Sequence, residues 1–220
     1  MMLALSRCAS YCVFDDRTFI LDLGTGRYYC VVGPANEAFL RVVAAERWLL
    51  GDEALLEGFV RIGVLVSATK PIRSSPAVIT AACSSALDER GESGRWIPSA
   101  FLNQMTARAS LKLFRLGKIV ERIERRRPIV SHHNPAGSEE LERSVARACQ
   151  VVRRLTAAKD QCLTSSIAML NVLASQRTFP NLVFGIKAAP FEAHCWVQSG
   201  TRVLNDTLEN IGLYTPIRVV

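Results

Sequence analysis

The run from Gln161 to Thr207 constrains the fold more tightly than any other part of the chain. Apolar side chains recur there at helical spacing directly after Cys162, at Leu163, Ile167, Leu170 and Leu173. This spacing predicts a helix whose first turn carries the cysteine. Three short apolar stretches, set apart by proline and glycine, then predict strands over 181–187, 194–198 and 202–206. The run is therefore expected to fold as a helix followed by a small antiparallel sheet.

Three side chains of this run have the residue types of an activated thiol site. Cys162 is predicted at a helix N-terminus, where the helix dipole favours the thiolate. A tight hairpin over 199–201 returns the chain beside the strand of His194, so that Asp206 can lie near the imidazole. In such a site the thiolate is the nucleophile, the histidine is the general base and acid, and the carboxylate orients the histidine. The backbone N–H of Cys162 is a candidate donor to the oxyanion.

Cys195 follows His194 directly and is the alternative nucleophile. Because side chains alternate along a strand, His194 and Trp196 are expected on one face and Cys195 on the other. We therefore expect Cys195 to face away from the site. The other cysteines have no histidine in a plausible neighbouring strand and are interpreted as packing residues: Cys8, Cys12, Cys30, Cys83 and Cys149.

Taken singly, the three site residues have ordinary structural explanations. A cysteine at a helix start is commonly a small buried hydrophobe, a histidine can be satisfied in a core, and an aspartate can cap a turn. Only the joint pattern of Cys162, His194 and Asp206 indicates a Cys-His-Asp hydrolase.

The segments CLTSSIAML, LVFGIKAAPFEAHCWV and RVLND together resemble the B protein of lasso-peptide biosynthesis. The members of that family are leader peptidases of the transglutaminase-like cysteine protease superfamily. The resemblance implies a papain-like helix plus antiparallel sheet, with Cys162, His194 and Asp206 as the catalytic residues. One departure is Cys195, where the family pattern would have Ala or Ser.

The N-terminal part has the pattern of a separate small domain. Apolar and polar side chains alternate over 11–32 around two turn clusters, which predicts a three-stranded meander. Helices are predicted to begin at Pro34 and Asp52, and a short strand is predicted over 64–66. The whole chain is thus expected to be α+β, with a winged-helix-like domain over residues 1–80.

This N-terminal domain resembles the precursor-recognition domain of peptide-modification systems. The resemblance implies that the leader peptide adds as a strand to the third strand of the meander, at Arg27, Tyr28, Tyr29, Cys30 and Val31. For any one of these side chains, the alternative is that it simply faces a core.

The middle of the chain divides into a predicted linker and a predicted helix. The Ser, Gly and Pro residues scattered over 67–98 favour a linker, which is placed at 81–98, so that the peptidase domain spans 99–220. An apolar stripe predicts one long helix over 99–127, with the stripe in the core: Leu102, Met105, Ala109, Leu113, Leu116, Val120 and Ile123. The opposite face is basic, and a solvated helix face explains it better than a binding surface does.

Charge and cysteine usage narrow the class of protein. The net charge of +7 is compatible with an anionic partner, but residues 52–62 carry three acids and one Arg, which disfavours a DNA-recognition helix there. The seven cysteines include no CxxC pair, which disfavours a zinc site and a disulfide framework. No apolar run is long enough for a signal peptide or a membrane span, so we expect a cytoplasmic protein with no membrane partner.

The resemblance implies the partners and the reaction. The expected substrate is a precursor peptide whose leader is removed, and the freed core would pass to a lasso cyclase of the asparagine-synthetase type. That cyclase uses ATP, which influences cleavage in some systems, whereas the thiol chemistry itself is expected to require no cofactor and no metal. No specific nucleic acid is expected. The alternatives are a winged-helix DNA-binding protein and a transglutaminase-like acyltransferase.

Overall fold

The computed structural model describes residues 2–70, 72–89, 92–127, 138–156 and 161–220. The chain divides into two compact units, of which unit 1 comprises residues 1–78 with 115–117 and unit 2 comprises residues 79–114 with 118–220. Both units combine α-helices with antiparallel strand pairs. No helix in the described ranges has the length and apolar character needed to cross a membrane.

Unit 1 contains a three-stranded antiparallel meander and a separate strand pair. Its elements are β1 (Met2–Leu5), β2 (Ala9–Phe14), β3 (Arg17–Asp22), β4 (Arg27–Val31), α1 (Gly33–Val43), α2 (Asp52–Arg61) and β5 (Leu65–Ala68). The meander has the order β2-β3-β4, as the alternation over 11–32 predicts. The predicted strand after α2 is present as β5, and it pairs with β1, which the sequence analysis did not predict.

The core of unit 1 forms where α1 covers the sheet. Ala38, Phe39, Val42 and Val43 are buried on one face of α1, as their spacing predicts. Phe39 contacts Tyr11 of β2 edge-to-face, with ring centroids 5.7 Å apart.

Unit 2 is a helical layer packed on a five-stranded sheet. Its elements are β6 (Ser84–Ser85), α3 (Ile97–Leu113), α4 (Leu116–Arg126), α5 (Ser138–Leu155), α6 (Cys162–Ser175), β7 (Asn181–Lys187), β8 (Glu192–Ser199), β9 (Arg202–Val203), α7 (Leu208–Ile211) and β10 (Thr215–Val219). The sheet has the order β10-β7-β8-β9-β6. All its pairs are antiparallel except β6 with β9. The predicted helix at Cys162 and the predicted strands at 181–187 and 194–198 are confirmed.

The segment 81–98, which the sequence predicts as a linker, contributes to the sheet. Ser84 and Ser85 form β6 at its edge, and the partly buried Ala82 packs against a buried cluster that includes Trp196. Just before this segment, the backbone O of Thr80 accepts a hydrogen bond from Gln198 at 2.7 Å. The physical reason is that an extended backbone satisfies its own N–H and C=O groups best by pairing with an open strand edge.

The predicted single helix over 99–127 is wrong in two respects. The chain is extended at Phe114 (φ −122°, ψ 149°), which separates α3 from α4. In α3 the predicted core stripe is largely exposed, with Leu102 63% and Leu113 76% exposed, whereas the buried positions include Ala100 and Ala107. Small side chains allow α3 to pack closely on α5 and α6, and this packing outweighs the burial of the larger leucines.

Candidate active site

Cys162 is the first residue of a helix that is buried on almost every side. Helix α6 has eight buried residues and packs on α3, α5 and β8. The preceding residue, Gln161, is itself buried, and its side-chain amide donates to the backbone O of Thr156 at 2.7 Å. Cys162 is only partly buried. The thiol therefore lies at the accessible N-terminus of a rigidly held helix, where the dipole favours an anion.

His194 in β8 and Asp206 form a hydrogen-bonded pair, although Asp206 lies beyond β9, which ends at Val203 and is shorter than the strand predicted over 202–206. His194 Nε2 lies 2.5 Å from Asp206 Oδ2. The other carboxylate oxygen of Asp206 accepts the backbone N–H of Thr207 at 2.8 Å and the side-chain amide of Asn210 at 2.9 Å. Because three donors hold the carboxylate, its orientation toward His194 is determined by the local backbone and by α7. Occupation of Nε2 leaves Nδ1 of the imidazole for the thiol.

Asn205 links the helix of Cys162 to the strand of His194. Its Oδ1 accepts the backbone N–H of Val197 in β8 at 2.8 Å, and its Nδ2 donates to Ser166 Oγ in α6 at 2.8 Å. Ser166 in turn donates to the backbone O of Cys195 at 3.4 Å. These bonds hold α6, which carries the Cys162 thiol, and β8, which carries the His194 imidazole, in one relative position.

Electrostatics favour a thiolate–imidazolium pair. Hydrogen bonds from Cys195 and then from His194, with the charge of His194, lower the pKa of Cys162 to about 4, against the opposing effect of burial. Burial lowers the pKa of His194, but the hydrogen bond to Asp206 and the contact with Cys162 outweigh it and raise that pKa to about 9. The pKa of Asp206 is lowered, because its hydrogen bonds to His194, Thr207 and Asn210 outweigh burial. All three groups are therefore charged near neutral pH.

Cys195 lies on the face of β8 opposite to His194, as the strand alternation predicts, but it still influences the Cys162 thiol. Hydrogen bonding by Cys195 is the largest cause that lowers the pKa of the Cys162 thiol. The alternation itself holds, because His194 and Trp196 rings share one face, whereas Cys195 contacts Ser166 of α6.

The aromatic rings of Tyr214 and Trp196 lie beside the imidazole ring of His194. Its ring centroid lies 5.0 Å from that of Tyr214 and 6.3 Å from that of Trp196, which is nearly parallel to it. The Trp196 ring lies over Gly185 of β7, where a Cβ atom would come within 2.7 Å of the ring. The glycine therefore provides the space that allows Trp196 to stack beside the imidazole.

The predicted leader-binding residues form β4, at the edge of the sheet of unit 1. Arg27 and Cys30 are exposed, Tyr28 and Tyr29 are partly buried, and Val31 is buried in the core. Among the described residues, β4 pairs with β3 alone. The role of these five residues stays a prediction.

The basic side chains predicted over 99–127 lie in at least two different environments. Arg127 is structural: its guanidinium donates to Asn181 Oδ1 at 3.0 Å, to Pro180 O at 2.6 Å and to Val220 O at 2.9 Å. Arg122 and Arg126 instead line a cavity of about 1140 Å³ along the C-terminal half of α6. Cys162 and His194 do not line this cavity, so it is separate from the candidate active site.

Asn205, Asn210 and Tyr214 are neighbours of the site that were not predicted from the sequence. Asn205 lies inside the Leu-Asn-Asp segment, so its position beside Asp206 was a usable signal. Asn210 follows a Thr207 that caps α7, which is a recognisable helix start. No local sequence pattern could predict the position of Tyr214, because its ring reaches His194 only when the chain returns to the sheet as β10. Within the described ranges no group of three or more His, Cys, Asp or Glu side chains could hold a metal ion.

Comparison with known proteins gives a family match and one relative. The family model described as the transglutaminase-like superfamily matches residues 104–219, more than half of the chain. The chain is also similar to the microcin J25-processing protein McjB of Escherichia coli, with 35% identity over 68 residues. These residues make up 31% of this chain and 33% of McjB, so the match spans about a third of that relative. No solved structure matches the chain.

Proposed function

The chain belongs to the transglutaminase-like superfamily, and on that premise we propose that it is a cysteine endopeptidase that removes the leader from a lasso-peptide precursor. The family match and the partial match to McjB support a lasso-peptide biosynthesis B-type protein. The observation that carries the proposal is the His194–Asp206 pair, with 2.5 Å between Nε2 and Oδ2, together with the thiol of Cys162 at the start of α6, whose pKa Cys195 and His194 lower to about 4.

The proposed reaction follows from the charges of these three residues. The Cys162 thiolate attacks the scissile carbonyl carbon, while backbone N–H groups at the start of α6, including that of Cys162, stabilise the oxyanion. The His194 imidazolium donates its proton to the departing amine and leaves a thioester on Cys162. Neutral His194 then takes a proton from water, whose oxygen attacks the thioester and releases the carboxylic acid. Asp206 keeps the imidazole in the reactive orientation throughout.

Substrate recognition is proposed to lie in unit 1, as a winged-helix-like precursor-recognition domain. The edge position of β4 suits addition of the leader as a further strand, in which backbone hydrogen bonds provide affinity. The proposed partners are the precursor peptide and a lasso cyclase of the asparagine-synthetase type that takes the freed core with ATP. The proposed location is the cytoplasm, where free cysteines such as those of this chain persist.

The experiment is cleavage of the purified precursor peptide by the purified full chain, followed by mass spectrometry. Cys162→Ala is expected to abolish cleavage while leader binding persists, because the nucleophile is lost and β4 is untouched. His194→Ala is expected to be nearly as severe, and Asp206→Asn milder, because it removes orientation only. Cys83→Ala is the matched control, since it deletes an exposed thiol of unit 2 outside the site.

The products distinguish the proposed reaction from its alternative. A free carboxylate at the cut indicates hydrolysis, whereas an amine joined to that carbonyl would indicate acyl transfer. Cleavage by a well-folded Cys162→Ala variant would refute the assigned nucleophile.

A further inference from the structure

The cavity beside the C-terminal half of α6 is a groove with cations on one wall. It has a volume of about 1140 Å³ and lies between α3, α4 and α6, and we call it the basic groove. Its cations follow one face of α4: Lys118, Arg122 and Arg126. The walls formed by α3 and α6 carry uncharged polar side chains such as Asn103 and Asn171. None of the described residues that line the groove is acidic, so its α4 wall is positively charged.

Arg122 and Arg126 have no carboxylate partner among the residues that the structure describes. Arg126 donates instead to the neutral Oδ1 of Asn171 at 2.7 Å, which positions the guanidinium at the groove without neutralising its charge. Desolvation and the charge of nearby Arg122 lower the pKa of Arg126. The two guanidinium groups therefore repel each other, and an anionic ligand between them would relieve this repulsion.

The two glutamates of α4 do not supply that anion, because they pair with other cations. Glu121 lies 2.6 Å from Arg125, and Glu124 lies 2.9 Å from Arg218. Lys118 lies 3.8 Å from Glu121, which is a long contact between two exposed side chains and contributes little. The positive wall of the basic groove is thus left for a group from outside the chain.

The floor of the basic groove is apolar. Ile119, Ile123 and Ile167 line it and are each less than 10% exposed. Phe179 lines it as well, and Phe114 adds a ring that is 57% exposed. A solvated basic face, which the sequence favoured, would not need this floor. Apolar side chains of a ligand would gain free energy by covering it.

The spacing of the cations indicates a ligand with several acidic groups in a row. Lys118, Arg122 and Arg126 are four residues apart, so they follow each other at about 6 Å and span about 12 Å along α4. A single carboxylate or phosphate reaches only part of this row. A helix with acidic side chains at the same four-residue spacing reaches all of it. The volume also exceeds the range of about 300–1000 Å³ that is typical of small-molecule sites.

We propose that the basic groove binds an amphipathic α-helix of a partner protein. The apolar face of that helix covers the isoleucine floor, and acidic side chains at successive turns along one flank face α4. A nucleic acid matches the groove less well, because an aliphatic floor is a poor platform for stacking bases. This interaction surface goes beyond the proposed peptidase activity, which uses none of the residues that line the groove.

The test measures binding of a designed probe to the full chain by fluorescence anisotropy. The probe is a labelled helical peptide of about 18 residues with leucines on one face and glutamates at three successive turns on the adjoining flank. We expect saturable binding that weakens with added salt. A matched probe with glutamine in place of those glutamates should bind about tenfold more weakly.

Two pairs of variants locate the binding on the groove. Arg122→Glu should weaken binding of the acidic probe about tenfold, because repulsion replaces attraction, and a probe with lysine at the same positions should regain affinity. Its control is Arg125→Glu, which makes the same change of charge on α4 outside the groove and should alter affinity less than about twofold. Phe114→Ala should weaken binding about fivefold, whereas Leu113→Ala, at an exposed neighbour outside the groove, should not.

Several results would overturn the proposal. One is the absence of saturable binding up to about 1 mM of the acidic probe. Another is an equal loss in Arg122→Glu and Arg125→Glu, which would indicate attraction to the net positive charge alone. Binding of phosphatidylglycerol vesicles or single-stranded DNA in place of the probe, or a dimer of the chain that Arg122→Glu dissociates, would assign the groove to a different occupant. Cys162→Ala should bind the probe unchanged, so this outcome is independent of whether the precursor is cleaved.

Discussion

Cys162 and His194 are both charged at pH values between the pKa of the thiol and the pKa of the imidazole. Cys162 becomes protonated only as the pH falls through about 4, and His194 loses its proton only as the pH rises through about 9. The rate of Cys162 alkylation by iodoacetamide is therefore expected to stay high between these limits and to fall below about pH 4.

Two variants test the cause of this range. His194→Ala removes the hydrogen bond and the charge, so the inflection of Cys162 should move upward toward the ordinary thiol value of about 8.5. Asp206→Asn removes a bond that raises the pKa of His194, so the upper limit in a pH profile of peptide cleavage should move below 9. An unchanged alkylation profile in His194→Ala would contradict the ion pair.

Gly185 is a second position where a single atom decides the geometry of the site. In Gly185→Ala the new Cβ would overlap the Trp196 ring at 2.7 Å, which we expect to cost about 1–3 kcal/mol of unfolding free energy. The displaced ring should also slow the chemistry at His194. The matched control is Gly58→Ala in α2, where no atom lies within 4 Å of the new Cβ.

The two glycine variants are compared by chemical denaturation. Gly58→Ala should stabilise the protein by up to about 1 kcal/mol, because alanine favours the helix. Equal destabilisation by both variants would mean that the stacking of Trp196 is not the cause.

At the scale of elements, the sequence predicted what depends on local spacing. The start of α6 at Cys162 follows from helical periodicity, and the β7–β8 hairpin follows from strand runs separated by turn residues. Non-local packing could not be predicted in this way. The effect of Cys195 on the pKa of Cys162 depends on which sheet face receives α6, and the burial of Ala100 in place of Leu102 depends on how closely α3 approaches its neighbours.

Arg127 ties the end of α4 to the sheet. Arg127→Ala removes charged hydrogen bonds to three acceptors, two of which are the backbone oxygens of Pro180 and Val220. We expect a loss of about 2–3 kcal/mol in unfolding free energy, measured by urea denaturation. The control is Arg125→Ala, which removes an exposed pair with Glu121 and should cost no more than about 0.5 kcal/mol. Similar losses in both variants would show that Arg127 is not an anchor.

At the scale of the whole molecule, we propose that unit 1 binds the leader and that unit 2 cleaves the precursor. Added leader peptide is expected to shift the backbone amide signals of 27–31 in the nuclear magnetic resonance spectrum of the Cys162→Ala protein, because strand addition bonds directly to β4. The opposite edge strand, β2, provides the internal control and should be unaffected. Shifts confined to β2 or to unit 2 would contradict binding at β4.

Ser85 of β6 is joined to the backbone of Asp206 by a contact of long sequence separation. Ser85 Oγ donates to the backbone O of Asp206 at 2.7 Å, across 121 residues of chain. Contacts of such long sequence separation close slowly, because the entropy of the intervening loop is lost first. During synthesis on a ribosome, the segment that contains Ser85 emerges well before His194 and Asp206. Strand β6 therefore cannot pair until β9 has also been synthesised. Because Cys195 and His194 lower the pKa of Cys162, we expect a nascent chain to carry an ordinary thiol at Cys162 until both residues have been synthesised and have folded beside it.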